Sequence, residues 1–173
     1  VLARMRLLSL ADGAALAALR TELAGVALLR GDPGFGDELE SANVLSPMNP
    51  ALVVGAADEA DVVAAVRFAA AHGLEVVAMA TGHGSYRTVD SGMVIRTSRL
   101  DAIRVDANAG TVTVGAGARW RDIQPALHKH GLVAVAGSSP SVGAVGLLLG
   151  GGAGPLSRTF GWAADRVRSF RVV

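Results

Sequence analysis

The chain has 173 residues, with 16 Lys+Arg against 15 Asp+Glu, a net charge of +1 and no cysteine. That length suits one domain, or one and a fraction, with a sizeable core. Lys129 is the one lysine and the arginines are scattered, which argues against a nucleic-acid groove, and the lack of cysteine excludes disulfides, thiolate metal sites and cysteine–cofactor bonds. Hydrophobic residues make up 51% of the chain but aromatics only 4%, so Ala, Val, Leu and Gly carry the apolar content. No charge falls between Gly131 and Ser157, yet Pro140, three serines and the glycines would leave backbone groups unpaired in lipid, so no membrane partner is expected. Arg4 and Arg6 precede an apolar run that Asp12 ends too soon for a signal peptide, and the expected location is the cytoplasm.

Ala11 to Ala24 has helical spacing, with Leu16, Leu19 and Leu23 on one face. Gly31-Asp32-Pro33-Gly34 is a turn, and a polar loop runs from there through Asn43 to Pro50. Ala51–Val54 reads as a short buried strand. Asp58 then N-caps a helix with acidic residues in its first turn, Val62, Val66 and Ala69 facing inward, and Gly73 as its C-cap. Leu74–Met79 follows as a strand, and the β–α–β spacing makes the two strands parallel. Met93–Ile95, Ile103–Val105 and Thr111–Val114 read as an antiparallel meander. Arg119–His130 is helical, with Trp120, Ile123 and Leu127 on one side. A long glycine-rich segment comes next, and Arg171–Val173 reads as a strand. With Val1 at the start, both ends look cut.

Two segments stand out chemically. Ala80-Thr81-Gly82-His83-Gly84 sits at the C-terminal end of a strand, where ligands of α/β units bind. Residues 137–154 read GSSPSVGAVGLLLGGGAG. Glycine leaves room and bare N–H groups, which cradle phosphate oxygens without a cationic side chain, so a dinucleotide is the obvious ligand. The Rossmann fingerprint, the Walker A loop and the serine-hydrolase elbow are all absent. His128 and His130 would point to different faces of a helix, so no metal is expected. Trp120 and Trp162 read as core or interface, Asp165 as a turn cap, and His72 as a helix-end residue that suits the dipole.

Together these segments resemble the FAD-linked oxidases of the vanillyl-alcohol oxidase/berberine bridge enzyme group, with a PCMH-type FAD-binding domain. The family's Arg-Ser-Gly-Gly-His turn matches Met79–His83, and its second loop matches Gly137–Gly143, Gly146 and Gly150–Gly154. Val89–Leu100 and the run Arg158, Phe160-Gly161, Asp165 continue the likeness, which covers roughly residues 25–173. The resemblance implies an α+β fold, a small parallel βαβ subdomain beside an antiparallel sheet, with FAD extended between them. Residues 1–24 are then an N-terminal helical segment, and 25–173 an FAD-binding domain incomplete at its C-terminus.

The implied activity is that of a flavin-dependent oxidoreductase, moving a hydride from a substrate C–H bond to flavin N5 with oxygen as reoxidant. Ala80, Thr81, Gly82, His83, Gly84 and Ser85 are the expected contacts on one side. Ser139, Ser141, Val142, Gly143, Gly146, Gly150, Gly151, Gly152 and Gly154 are those on the other. His83 is the expected covalent flavin attachment, and a single bond only, because Ser139 stands where some members carry a second attaching cysteine. Met79 replaces the family's arginine, so the turn must rely on N–H groups, and Leu147 replaces a common histidine. No catalytic residue is expected within this chain. The partner is a small-molecule substrate, reached through a domain that is missing here. The alternatives are a noncovalent FAD reductase of the same fold and a non-catalytic nucleotide-binding domain.

Overall fold

The computed structural model describes residues 13–86 and 88–173, which form two compact units, one running to Arg99 and the other from Leu100 to Val172. The first unit is built on a four-stranded sheet. Helix α1 (Gly13–Glu22) leads into β1 (Val26–Leu29), the short α2 (Phe35–Glu38), β2 (Leu52–Gly55), α3 (Glu59–His72), β3 (Val76–Met79) and β4 (Met93–Arg96). Sheet order is β1-β2-β4-β3, with β1 antiparallel to β2 and β4 parallel to both β2 and β3. The two expected strands are therefore parallel, but β4 lies between them. This corrects its reading as part of a meander: all four β4 residues are buried, as befits a central parallel strand covered on both faces. β1 is an edge strand that the sequence reading passed over.

One face of this sheet carries Leu52, Val54, Met93 and Ile95 against Leu16, Leu19 and Leu23 and against Ala64, Ala65, Phe68 and Ala69 of α3. The other carries Val53, Met79 and Val94 against Phe35. Helix α3 starts where Asp58 accepts a hydrogen bond from Asp61 N, and it ends at Gly73 with φ 64°, so both expected caps are in place. Val62 and Val66 pack at the margin, and the inner face runs through Ala65, Phe68 and Ala69. Asp61, 2% exposed, fastens the upper loops together. Its carboxylate accepts from Ala24 N at 2.8 Å, Gly25 N at 2.9 Å and Ala57 N at 2.8 Å.

The second unit contains the antiparallel pair β5 (Ile103–Asp106) and β6 (Thr111–Val114), then α4 (Trp120–His128), α5 (Ala144–Leu149), α6 (Ser157–Phe160) and a 3-10 turn at Ala163–Arg166. The expected face of α4 is buried: Trp120, Ile123 and Leu127 pack with Ala118, Ala136 and Ala144, and the hairpin's Ile103, Val105, Val112 and Val114 lie against them. Trp120 is core, and its Nε1 has no partner among the described residues. Trp162 is not core, being 54% exposed. Residues 171–173 are not a strand, which corrects that expectation; valines favour a strand only where a neighbouring strand takes up their backbone groups. Among the described residues no helix is long and apolar enough to cross a membrane.

Candidate functional site

Strand β3 delivers the first glycine turn at its C-terminal end, as the sequence implied. Met79 is buried against Phe35, Val53 and Val94, so it offers the turn no charge. Ala80–Ser85 then fold back, and Ser85 N donates to Gly82 O at 3.2 Å. Among the described residues the backbone N–H groups of Thr81, Gly82 and Gly84 meet no acceptor. Three such donors within four residues are the chemistry of an anion-binding nest, since unpaired amides need either water or an anion. A Cβ placed on Gly84 would meet nothing within 4 Å, so that side of the turn is open.

The half-buried imidazole of His83 is oriented from within the turn, with Nδ1 2.9 Å from Thr81 Oγ1. In a neutral ring whose Nδ1–H donates to that hydroxyl oxygen, the lone pair lies on Nε2. The opposite direction of that bond would put the proton on Nε2.

The turn is also held from outside, by residues of the polar loop that precedes β2. Ala42 N donates to Thr81 O at 2.9 Å, and Asn43 Nδ2 to Ser85 O at 2.6 Å. Ser41 lies so close to Gly82 (φ 75°) that a side chain there would strike its hydroxyl. No motif marks these residues. Their role comes from a loop returning across the sheet, which local sequence does not encode. Val44, Leu45 and Tyr86 flank the turn with exposed side chains.

The second glycine segment is an ordered loop with a short helix inside it. Within it Ala144–Leu149 form α5, which places Gly146 in a helix and Gly150 at its C-cap. Residues 140–144 are laid along the start of α4: Arg121 N donates to Pro140 O, Trp120 N to Val142 O and Ala144 N to Ala118 O, at 2.8, 3.2 and 2.9 Å. Ser139 Oγ lies 3.0 Å from Ser141 Oγ, and Gly143 is buried in an antiparallel bridge with Arg119. Gly151 and Gly152 have φ of 97° and 76°. Their carbonyls accept from Ala164 N and Ala163 N at 3.0 and 3.1 Å. A Cβ on Gly152 would stand 2.6 Å from that of Ala163. A flexible linker does not carry such contacts.

Gly154 presses its Cα against the carbonyl of Ala136 and donates to Ser157 Oγ at 2.9 Å. The amide of Gly152 meets no acceptor among the described residues, and a Cβ on Gly146 would meet open space. An open groove lined by Trp120, Arg121, Gly137, Ser138 and Pro140 borders the start of the segment.

Other singled-out residues have structural work. Asp165 accepts from Trp162 N at 2.8 Å and caps the 3-10 turn. His72 bonds Phe68 O at 2.8 Å through Nδ1 and stacks on the Phe68 ring.

The family described as "FAD binding domain" matches residues 50–173. The FAD-linked oxidoreductase pgmH of Aspergillus terreus is 36% identical over 160 residues, 90% of this chain and 32% of that protein. The (R)-6-hydroxynicotine oxidase of Paenarthrobacter nicotinovorans is 34% identical over 120 residues, 68% of this chain and 26% of that protein. Among solved structures, 6-hydroxy-D-nicotine oxidase from Arthrobacter nicotinovorans superposes with a TM-score of 0.77 at 31% identity, covering 83% of this chain and 32% of that one. A chitooligosaccharide oxidase superposes with a TM-score of 0.76 at 25% identity, covering 87% and 33%. The chain spans about a third or less of the length of these relatives.

Proposed function

Because the chain belongs to the FAD-binding domain family, of the PCMH type found in oxidases related to berberine bridge enzyme, we propose that it is the cofactor-holding part of a flavin-dependent oxidoreductase. When bound, FAD supplies the two-electron acceptor: a hydride leaves a substrate C–H bond for flavin N5, and oxygen takes the electrons onward. The protein's task is to bind, orient and tune that group. The substrate is a small molecule, and the residues that select it belong to the part of the relatives' length that this chain does not span.

One observation carries the reading: amides at Thr81, Gly82 and Gly84 that meet no acceptor among the described residues flank an oriented histidine at the end of a parallel strand. The pyrophosphate would carry charge that such amides stabilise by hydrogen bonding without a side-chain cation, which suits a turn whose preceding residue is the buried Met79. Ser85 closes the turn through its bond to Gly82 O. In the second unit Ser139, Ser141, Val142, Gly143, Gly146 and Gly150–Gly154 are the proposed cofactor contacts, offering small side chains and, at Gly152, an amide that meets no acceptor among the described residues.

His83 acts as the covalent anchor. With Nδ1–H donating to Thr81 Oγ1, the lone pair on Nε2 would be the group that joins His83 to the flavin. The opposite tautomer leaves FAD held noncovalently, the second reading this hydrogen bond allows. Titration of the FAD-free intact protein with FAD tests the binding role. Saturable quenching of flavin fluorescence at one FAD per chain is expected, and no saturable binding would remove the functional reading.

A further inference from the structure

The strap that holds the His83 turn begins upstream of the residues the family match covers. Phe35 anchors α2 to the sheet, and the guanidinium of Arg99 pairs with the carboxylate of Glu38. Buried Arg96, at the end of β4 and beside Met79 in the sheet register, donates from Nη1 to Glu40 O at 2.6 Å. Residues 41–43 therefore leave a fixed point and run along the turn. Ala42 N and Asn43 Nδ2 donate to carbonyls at its two ends, Thr81 O and Ser85 O. The Asn43 side chain spans both jobs, because its Oδ1 also accepts from Leu45 N at 3.1 Å.

We propose that Asn43 is a positioning residue for the cofactor turn, setting through Ser85 the spacing of the unpaired amides and the reach of His83. The inference rests on the reading that the 80–85 turn holds FAD. Its physical basis is the direction of the bonds. Each strap donor takes a turn carbonyl, so the carbonyls turn outward to the strap and the N–H groups of Thr81, Gly82 and Gly84 remain for an anion. Without the Asn43 donor, Ser85 O can rotate, and the nest relaxes toward pairing with water. The chain still folds, because Phe35, Arg96 and Arg99 keep the strap on the sheet.

The test compares Asn43→Asp and Asn43→Gln with the parent in the intact protein. The readouts are FAD affinity by fluorescence titration, the share of flavin retained after acid precipitation, and the melting temperature of the FAD-free protein. Asn43→Asp keeps the acceptor for Leu45 and loses the donor to Ser85, so FAD affinity should fall about tenfold, the scale of one lost hydrogen bond to a now unsatisfied carbonyl. Acid-stable flavin should fall with it, while the melting temperature hardly moves. Asn43→Gln, which keeps an amide donor, should recover part of both flavin readouts. Parent-like affinity and attachment in Asn43→Asp would overturn the positioning role. So would flavin losses that track the melting temperature in both variants, which would mark Asn43 as structural only. A parent protein that binds no FAD would instead overturn the functional reading, and that result is seen before any variant is made.

Discussion

Gly146→Ala and Gly152→Ala separate room needed by a cofactor from room needed by the chain itself. At Gly152 the backbone is left-handed, φ 76°, which costs an alanine about 1–2 kcal/mol. The new Cβ would also stand 2.6 Å from that of Ala163, and overpacking of this kind adds about 1–3 kcal/mol. The FAD-free Gly152→Ala protein should therefore lose roughly 2–5 kcal/mol whether or not FAD ever binds. Gly146 differs in both respects. It lies inside α5 with ordinary helical backbone, and its added Cβ meets nothing within 4 Å. Alanine there should leave stability unchanged or raise it by up to about 1 kcal/mol, the helix-propensity gain over glycine. If the flavin packs over that position, the same methyl group should weaken FAD binding by about tenfold or more, the affinity equivalent of roughly 1.4 kcal/mol. Urea denaturation of the FAD-free proteins and FAD titration of each supply the two numbers. A Gly146→Ala protein with parent affinity for FAD would refute the assignment of α5 to the cofactor surface.

His83→Ala should bind FAD noncovalently, because the amides of Thr81, Gly82 and Gly84 survive, and should release all of it on acid precipitation; loss of all binding would show that the amides do not hold the cofactor. Asp61→Ala should cost about 3–5 kcal/mol in urea denaturation, since it orphans three backbone N–H groups at once, whereas Asp61→Asn should cost about 1–3 kcal/mol by keeping one acceptor; equal, small costs would mean that water replaces the carboxylate. Trp120→Ala should cost about 3–5 kcal/mol, but Trp120→Phe less than about 1.5 kcal/mol, because the indole N–H it removes has no partner among the described residues; matching losses would point to a bond at Nε1.

The legible parts of the fold are those with local causes. Helix α3 has an N-cap, acidic residues in its first turn and a glycine C-cap, all readable from residues 58–73, and the leucines of α1 repeat at helical spacing. β4 was misplaced because a short apolar run fits either sheet type. Only its pairing with both β2 and β3 makes it central, and pairing is not local. β1 escaped because four residues between Gly25 and a turn carry no period. α5 escaped because a six-residue helix with a glycine inside has no side-chain cap and takes its support from packing of Ala144. The two glycine segments stood out in the sequence because small residues cluster there. Ser41, Asn43 and Arg96 did not, since their contacts join chain positions about 40 and 56 residues apart and no motif binds them.

The central claim is that this chain holds FAD through the 80–85 turn, with His83 as its covalent anchor. The direct measurement is acid precipitation of the intact protein followed by proteolysis and mass spectrometry of the peptide that contains His83. A yellow precipitate, fluorescent under ultraviolet light, and a His83 peptide heavier by the mass of the flavin group are expected. A colourless precipitate with all flavin in the supernatant, or flavin mass on a different residue, would contradict it.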